Sequence, residues 1–511
     1  MNNVSTDGVV SEVTSDSNSA LFHYGADFKL ETLPVDNSRI LYPPQTASSI
    51  YDPTFTISES LHNPLGSEPL AELLNPDMKL TIAFDDVLFN QRPISKPDIR
   101  QQIIEQILDI AAVAGVDDVH LIVARGLNRQ LNEVEQRLII GNRVYDTFAS
   151  RGLIYNHDAE DASQMTILGQ SEAGKNLSLN KRAAESDLLI YIGINLGPVT
   201  EVNKSTTLGL SDYETEKALQ GNHGVNTNFI SDAGLKIFRI EANVKNSFSY
   251  AGPLAVLEKR ELDWSSKDRT SVLALEASFK YLPEKAKLKL FNSSYSAYET
   301  TAIFAGSITE VAEASSKVYS QQHLLNVVGQ TDVVTMGISH LNRYNVNSFM
   351  NPLLVMFLGL GQYLKNSPVV RKGGVAILSH PLEADFHPVH HASHIDFFDQ
   401  VLTETTDPNE IANRYEKQYS QDDWYKHLYS TSFAYHGSHP IFMWSQIAEM
   451  LNYLSQVIVI GGNESTATRL GIKVAANLPE ALEMAEGLVG KAPSISHLHN
   501  PNILLSNVVG G

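Results

Sequence analysis

The chain has no cysteine. That absence excludes disulfides, thiolate metal sites and cysteine nucleophiles together, and it fits a reducing compartment. Positive charge is scarce: 38 Lys and Arg stand against 58 Asp and Glu, a formal charge of −20. A surface of that sign repels phosphate backbones and anionic lipid, so nucleic acid is not expected as a partner, although a local basic pocket for a small anion is compatible with it. Long apolar runs are missing too. A membrane span needs roughly 18–20 such residues; the nearest stretch, Pro352–Leu364, is short and contains glycines and a glutamine. The first residues, MNNVSTDGVVSEVTSDSNSA, have neither a basic nor an apolar region and do not read as a signal peptide. The expectation is a cytoplasmic protein with no membrane attachment.

What is present points to a globular chain. Of 511 residues, 43% are hydrophobic and 19% charged, enough apolar surface for large cores. At roughly 150 residues per domain, the length suggests about two to four domains. Residues 1–50 are rich in Ser, Thr, Asn and Asp and predict a flexible tail. From about residue 78 the pattern alternates β and α. Short apolar runs at 79–84, 119–124, 188–194, 235–240, 287–291, 332–336, 374–378 and 456–460 predict strands. Apolar residues at helical spacing between them, such as Ile99, Ile103, Ile107 and Ala111, predict helices. Strands separated by helices imply an α/β fold with mostly parallel sheets. An irregular stretch near 242–268 reads as an excursion, and a domain change falls near 320–330. The expected organisation is a tail (1–50), an amino-terminal cofactor-binding α/β domain (51–325) and a carboxy-terminal α/β domain (326–511).

Four motifs carry candidate chemistry. Gly169 to Asn176 is one residue short of a phosphate loop, but Asn176 cannot supply the hydroxyl that Mg²⁺ needs. The alternating residues that follow predict a strand, so a hairpin turn with an exposed Lys175 is the better account. His380, His387, His390, His391 and His394, with Glu383 and Asp385, include ligand-like spacings; loop histidines in packing roles are the commoner outcome. Asp85-Asp86 at a strand end, followed by Arg92-Pro93, could hold a ligand carboxylate or phosphate; ordinary turn chemistry explains them equally well. Finally, Ser211 with Glu214 predicts a capping box, leaving Lys204 and His223 on either side of a helix.

Taken in order, these and several further stretches resemble the nickel-dependent lactate racemase family. They are Asp85-Asp86 with Arg92-Pro93, Ala124-Arg-Gly126-Leu-Asn128-Arg129, Asn156-His157-Asp158, Asn180-Lys-Arg182, Lys204-Ser through Tyr213-Glu214-Thr215, and Asn222-His223. In the second half, Arg371-Lys-Gly373-Gly374 and Gly437-Ser-His439-Pro440 are similar to the family's second domain. The resemblance covers roughly residues 75–510. It implies two α/β domains with an active-site cleft between them. It further implies a nickel-pincer nucleotide as cofactor, tethered by Lys204, with His223 as the metal ligand, and Arg92 and Asp86 near cofactor phosphate and substrate carboxylate.

The family resemblance also implies hydride transfer from the α-carbon of a 2-hydroxy acid, with two histidines as bases. Here Asn128 stands where the first belongs, and no histidine precedes Lys204 at the place of the second. Asn128 can hydrogen-bond a hydroxyl but cannot take its proton. Replacement bases are expected from His157 or from the His387–His394 loop. The reading is a lactate-racemase-like isomerase, racemase or epimerase, acting on a small 2-hydroxy acid or polyol. Two alternatives accompany it: a non-catalytic ligand-binding paralogue, and a metal hydrolase built on the histidine cluster.

Overall fold

A computed structural model describes residues 8–45, 47–86, 94–171, 174–195, 209–220, 229–245, 250–294, 297–340, 350–361, 368–499 and 505–510. The amino-terminal segment holds four strands, β1 (Val9–Glu12), β2 (Ser19–Gly25), β3 (Phe28–Thr32) and β4 (Ser38–Tyr42). The next eight are β5 (Lys79–Asp85), β6 (Asp118–Ala124), β7 (Ile154–Asn156), β8 (Met165–Gln170), β9 (Asn176–Asn180), β10 (Leu188–Asn195), β11 (Ile237–Val244) and β12 (Thr300–Gly306). Six of these form one sheet in the order β12-β11-β10-β5-β6-β7, parallel except for β12. The hairpin β8–β9 stands apart from it, as the alternation after Gly174 predicts.

Period-two alternation explains why this sheet is covered on both faces. Leu80, Ile82 and Phe84 of β5 join Leu121, Val123, Ile190 and Ile192 in one core, under the helices Ile99–Val113 and Glu133–Ala149. Ala83, Ile122, Leu189 and Tyr191 point the other way, toward Leu177 and Leu179 of β9 and toward Phe229.

The remaining strands are β13 (Leu324–Val328), β14 (Thr331–Ser339), β15 (Val370–Ser379), β16 (Gln456–Ile460), β17 (Lys473–Ala475), β18 (Ile495–Leu498) and β19 (Leu505–Val509). The second sheet runs β1-β4-β18-β14-β15-β16-β17, parallel except for β1. This corrects the expected flexible tail. Strand β4 pairs with β18, and β2 joins the end of β14 at Ile338 and Ser339. Leu21, Phe28 and Leu41 are fully or almost fully buried in the second core. The polar composition of residues 1–50 hid the short apolar strands between turns.

The expected boundaries need a second correction. Leu254, Leu257, Val272, Phe279 and Phe291 belong to the core of the second sheet, although they lie within 51–325. The chain leaves the first sheet after β11, contributes residues 250–294 to the second unit, and returns for β12. Residues 287–291, expected as a strand, lie in the helix Glu284–Ser294. Lys-Leu-Lys-Leu-Phe alternates, but in the helix Phe291 packs edge-on against Phe279 and Tyr250. Among the described residues no helix is long and apolar enough to cross a membrane.

Both interiors contain neutral histidines. Burial depresses the His157, His323 and His497 rings to a pKa of about 4, and His380 to about 3. In an unfolded chain such rings titrate near 6.5. Between pH 6.5 and 4 the unfolded state therefore binds protons that the folded state refuses, so stability falls as pH falls. Urea melts at pH 7 and pH 5 are expected to show a lower midpoint at pH 5, each ring contributing up to about 1.4 kcal/mol per pH unit. The folded amino-terminal segment makes a separate prediction. Leu41→Ala is expected to destabilise the protein by about 2–5 kcal/mol in the same assay, whereas a change in a loose tail has no effect.

Candidate active site

The strand order of the first sheet reverses beside β5: β6 and β7 lie to one side, β10 to β12 to the other. Loops leaving adjacent strands diverge at such a point and open a crevice outside the carboxyl ends. Asp85 and Asp86 stand at the end of β5. The neighbouring strand β10 ends at Asn195.

The two carboxyls differ in surroundings. Asp85 accepts hydrogen bonds from the Tyr191 hydroxyl at 2.7 Å and the Ile194 N–H at 2.9 Å. Behind Tyr191, the Arg239 guanidinium lies 4.4 Å from the ring centroid and pairs with Glu241 at 2.6 Å. Asp86 is 3% exposed. Burial first, and the Asp85 charge second, push its pKa up to about 7, against the opposing pull of an Asn128 hydrogen bond and of Arg129 and Arg100. Arg100, paired with Asp98 at 2.9 Å, donates to the Asp85 and Asp86 carbonyls at 2.8 and 3.0 Å and fixes the strand end.

The loop after β6 is equally constrained. Arg125 donates to the His157 carbonyl at 2.5 Å and the Asn128 carbonyl at 2.7 Å. Arg129 grips Glu135 with two nitrogens, and Glu135 also closes the capping box of its helix with Asn132. Asn128, held between these two arginines, is half-buried. Glu216 on the helix Tyr213–Gln220 is 3% exposed, and its buried Oε1 has no hydrogen-bond partner among the described residues. Burial drives its pKa well up, and the Arg125 charge only partly offsets this.

His157 does not take the expected place of a base. It is fully buried; its Nε2 meets the Ser211 carbonyl at 2.8 Å and its Nδ1 meets the Asn180 amide at 3.3 Å. Both ring nitrogens are used to tie the loop after β7 to β9 and to the entry of the helix at 213. The helix cap also differs from expectation: Asp212, not Ser211, accepts the Thr215 N–H, at 2.9 Å. The Ser211 carbonyl serves His157 instead.

Arg92, Lys204 and His223 lie outside the described residues. The described residues nearest to Lys204 and His223 in sequence are held by packing and hydrogen bonds. Gly209 sits so close to β6 that an added Cβ would lie 2.8 Å from Ala124 and 3.0 Å from the Tyr191 hydroxyl. Asn195 donates to Ser315 at 2.7 Å, and Phe229 is buried beside Leu177.

The second unit docks on these loops. Tyr429 is completely buried, donates to the Gly126 carbonyl at 2.5 Å and carries Arg125 on its ring at 3.8 Å. The His436 N–H donates to Leu127, and its Nε2 lies 2.9 Å from Glu160, which also holds Lys426 at 2.6 Å. Burial alone would raise the Glu160 pKa; the His436 and Lys426 hydrogen bonds win and lower it. A cavity of about 540 Å³ opens along the seam, lined in part by Glu160, Lys175, Asp212 and Lys426. Nothing in the sequence marked Tyr429, Glu160 or Glu216, because each reads as an ordinary helix or loop residue until the units are docked.

The histidine cluster serves local structure, which corrects the metal-hydrolase alternative. His387 stacks on His390 at 3.7 Å, His394 meets His439 at 3.1 Å, and the His391 and His387 rings accept backbone N–H groups. Among the described residues no group of three His, Asp or Glu side chains could hold a metal ion. Burial, the neighbouring His387 and the Arg129 charge drive His390 down to about 3.

Residues 24–228 match the family model of the lactate racemase N-terminal domain. The match begins inside β2, within the segment expected to be a tail. Over 176 residues the chain is 27% identical to a lactate racemase from Lactiplantibacillus plantarum, a stretch covering 34% of this chain and 39% of that relative. The lactate racemase apoprotein from Thermoanaerobacterium thermosaccharolyticum shares the fold at a TM-score of 0.61 and 15% identity, covering 96% of this chain and 100% of that one. The order of motifs, the family-model match over residues 24–228 and the shared fold agree in their likeness to the lactate racemase family.

Proposed function

We propose that the protein is a racemase- or epimerase-type isomerase acting on a small 2-hydroxy acid or polyol, in a reducing compartment such as the cytoplasm, with a nickel-pincer nucleotide as cofactor. The observation that carries this reading is the family match over 24–228, which spans the carboxyl ends of β5, β6, β7 and β10. The residue types the sequence supplies suit the group: an amine for a covalent tether in Lys204, and an imidazole for nickel in His223. Arg92 adds a planar guanidinium for phosphate or carboxylate. When bound, the cofactor supplies a carbon that accepts and returns hydride.

The chain's own residues do the rest. Asn128 holds a substrate hydroxyl by hydrogen bonding, fixed in place because Arg125 and Arg129 lock its loop. Tyr429 and His436 seat the second unit over the same loop and exclude water from its inner side. Asp86 supplies a carboxyl beside Asn128.

Intact-protein mass spectrometry with nickel analysis tests the reading, after co-production with the enzymes that build the cofactor. A mass adduct and bound nickel are expected for the native chain. Lys204→Ala is expected to lose the adduct, and His223→Ala to keep it while losing nickel. A native chain with neither adduct nor nickel overturns the cofactor assignment.

A further inference from the structure

We propose that the cavity at the seam of the two units is a second ligand site, and that it takes a small zwitterion, an amino acid or dipeptide with an aliphatic side chain. Asp85, Asp86 and Asn128 do not line it, and the inference does not depend on the isomerase reading.

The hairpin β8–β9 supplies one wall, and its alternation decides what that wall presents. Leu168, Leu177 and Leu179 pack toward the first sheet. The opposite face then carries Met165, Ile167, Asn176 and Ser178, and all four line the cavity. Ile167 and Ser178 stand directly across the ladder from each other, and Ile167 is 59% exposed. Lys175, at the turn whose sequence falls one residue short of a phosphate loop, lines the same space. Asp212 and Glu214, at the entry of the helix Tyr213–Gln220, form a second wall. Ser420, Gln421 and Lys426 of the second unit form the third, so the cavity exists only while the units are docked.

The polar groups of these walls divide into those already committed and those left over. Glu160 and Lys426 are committed: they pair at 2.6 Å, and His436 lies 2.9 Å from the second Glu160 oxygen. Ser178 is left over. It is 4% exposed, its N–H is used on the Thr215 hydroxyl, and its own hydroxyl bonds no described residue. A buried hydroxyl without a protein partner takes one from whatever fills the space beside it. Lys175 pairs with no described carboxylate and Glu214 with no described cation. Asp212 spends one oxygen, on the Thr215 N–H at 2.9 Å.

Opposite charges that line one cavity without pairing leave room for a molecule that carries both. A simple anion would satisfy Lys175 but meet the Asp212 and Glu214 charges in a protein of net charge −20. A simple cation would leave Lys175 unanswered. A zwitterion places its carboxylate on Lys175 and its ammonium on Asp212 and Glu214, by charge-assisted hydrogen bonds. Ser178 bonds its polar end, and Met165 and Ile167 cover an aliphatic side chain. The volume of about 540 Å³ suits a molecule of this size. Such a ligand touches both units. Tyr213 and Ala159 line the cavity and also pack with Leu127 and Tyr429, where the second unit seats on the Asn128 loop. Occupancy therefore favours the docked arrangement.

Titration calorimetry of the full chain with leucine and with leucyl-leucine tests the site, alongside methyl NMR of the methionine-labelled protein. At least one of the two is expected to bind with a Kd below about 1 mM. It should shift the Met165 methyl signal, assigned through Met165→Leu. Lys175→Gln and Glu214→Gln are each expected to weaken binding by roughly tenfold or more, and Ser178→Ala by roughly two- to tenfold. Lys181→Gln, at an exposed lysine away from the cavity, is expected to change nothing. The N-acetylated and the C-amidated forms of the same compound, each with one charge removed, should bind at least about tenfold more weakly. No binding of either compound up to about 10 mM overturns the proposal. So does binding that survives both Lys175→Gln and Ser178→Ala, or that does not distinguish the zwitterion from its N-acetylated form. A missing cofactor adduct on Lys204 overturns the isomerase reading and leaves this result to stand or fall by itself.

Discussion

The end of β5 is the constraint on which the site depends. Arg100 ties its last two carbonyls to the following helix, and Tyr191 and Ile194 tie Asp85 to the neighbouring strand. These bonds hold two consecutive carboxyls at the one position where the sheet order reverses. The loops after β6 and β7, and the backbone at Gly209, are then fixed relative to that point by Arg125, by His157 and by close packing on Ala124. A long buried side chain or a close backbone approach performs each of these attachments, so the edge is rigid.

Burial also decides the chemistry available there. The protein is strongly acidic overall, yet its site gathers Arg100, Arg125 and Arg129, each nearly or fully buried and each committed to carbonyls or a carboxylate. Desolvation then acts in opposite senses on the groups left over. Imidazoles become neutral and weak as bases, and carboxyls hold their protons longer. The histidine-rich loop of the second unit therefore packs, stacks and caps. A cluster that looks like a metal site in the sequence becomes part of the wall around the docked loops.

Much of the fold was legible. The alternation from residue 78 gave β5, β6, β10, β14, β15 and β16 within a few residues, because strands buried on both faces read as short apolar runs. The helix at 99–113 was visible from its isoleucines, and the hairpin at 165–180 from the period-two residues after Gly174. The amino-terminal strands were not legible, since polar turns dominate their composition. Nor was the helix at 284–294, whose lysine–leucine alternation mimics a strand. The site was legible as a list of residues, Asp85, Asp86, Asn128 and His157 among them, but not as an arrangement. His157 looked like a free base, and its two partners come from β9 and from the turn at 211.

The sequence by itself determined the α/β alternation, the exclusion of cysteine chemistry, the acidic surface and the order of motifs shared with a known family. These are local or compositional properties, carried by spacing and residue type. Only the tertiary structure decided that residues 9–42 and 250–294 belong to the second unit, that His157 is a strut, and that Asp86 sits beside Asp85 and Asn128 in a place water does not reach. Desolvation and pairing depend on which distant residues fill the space around a group, and no periodicity along the chain records that.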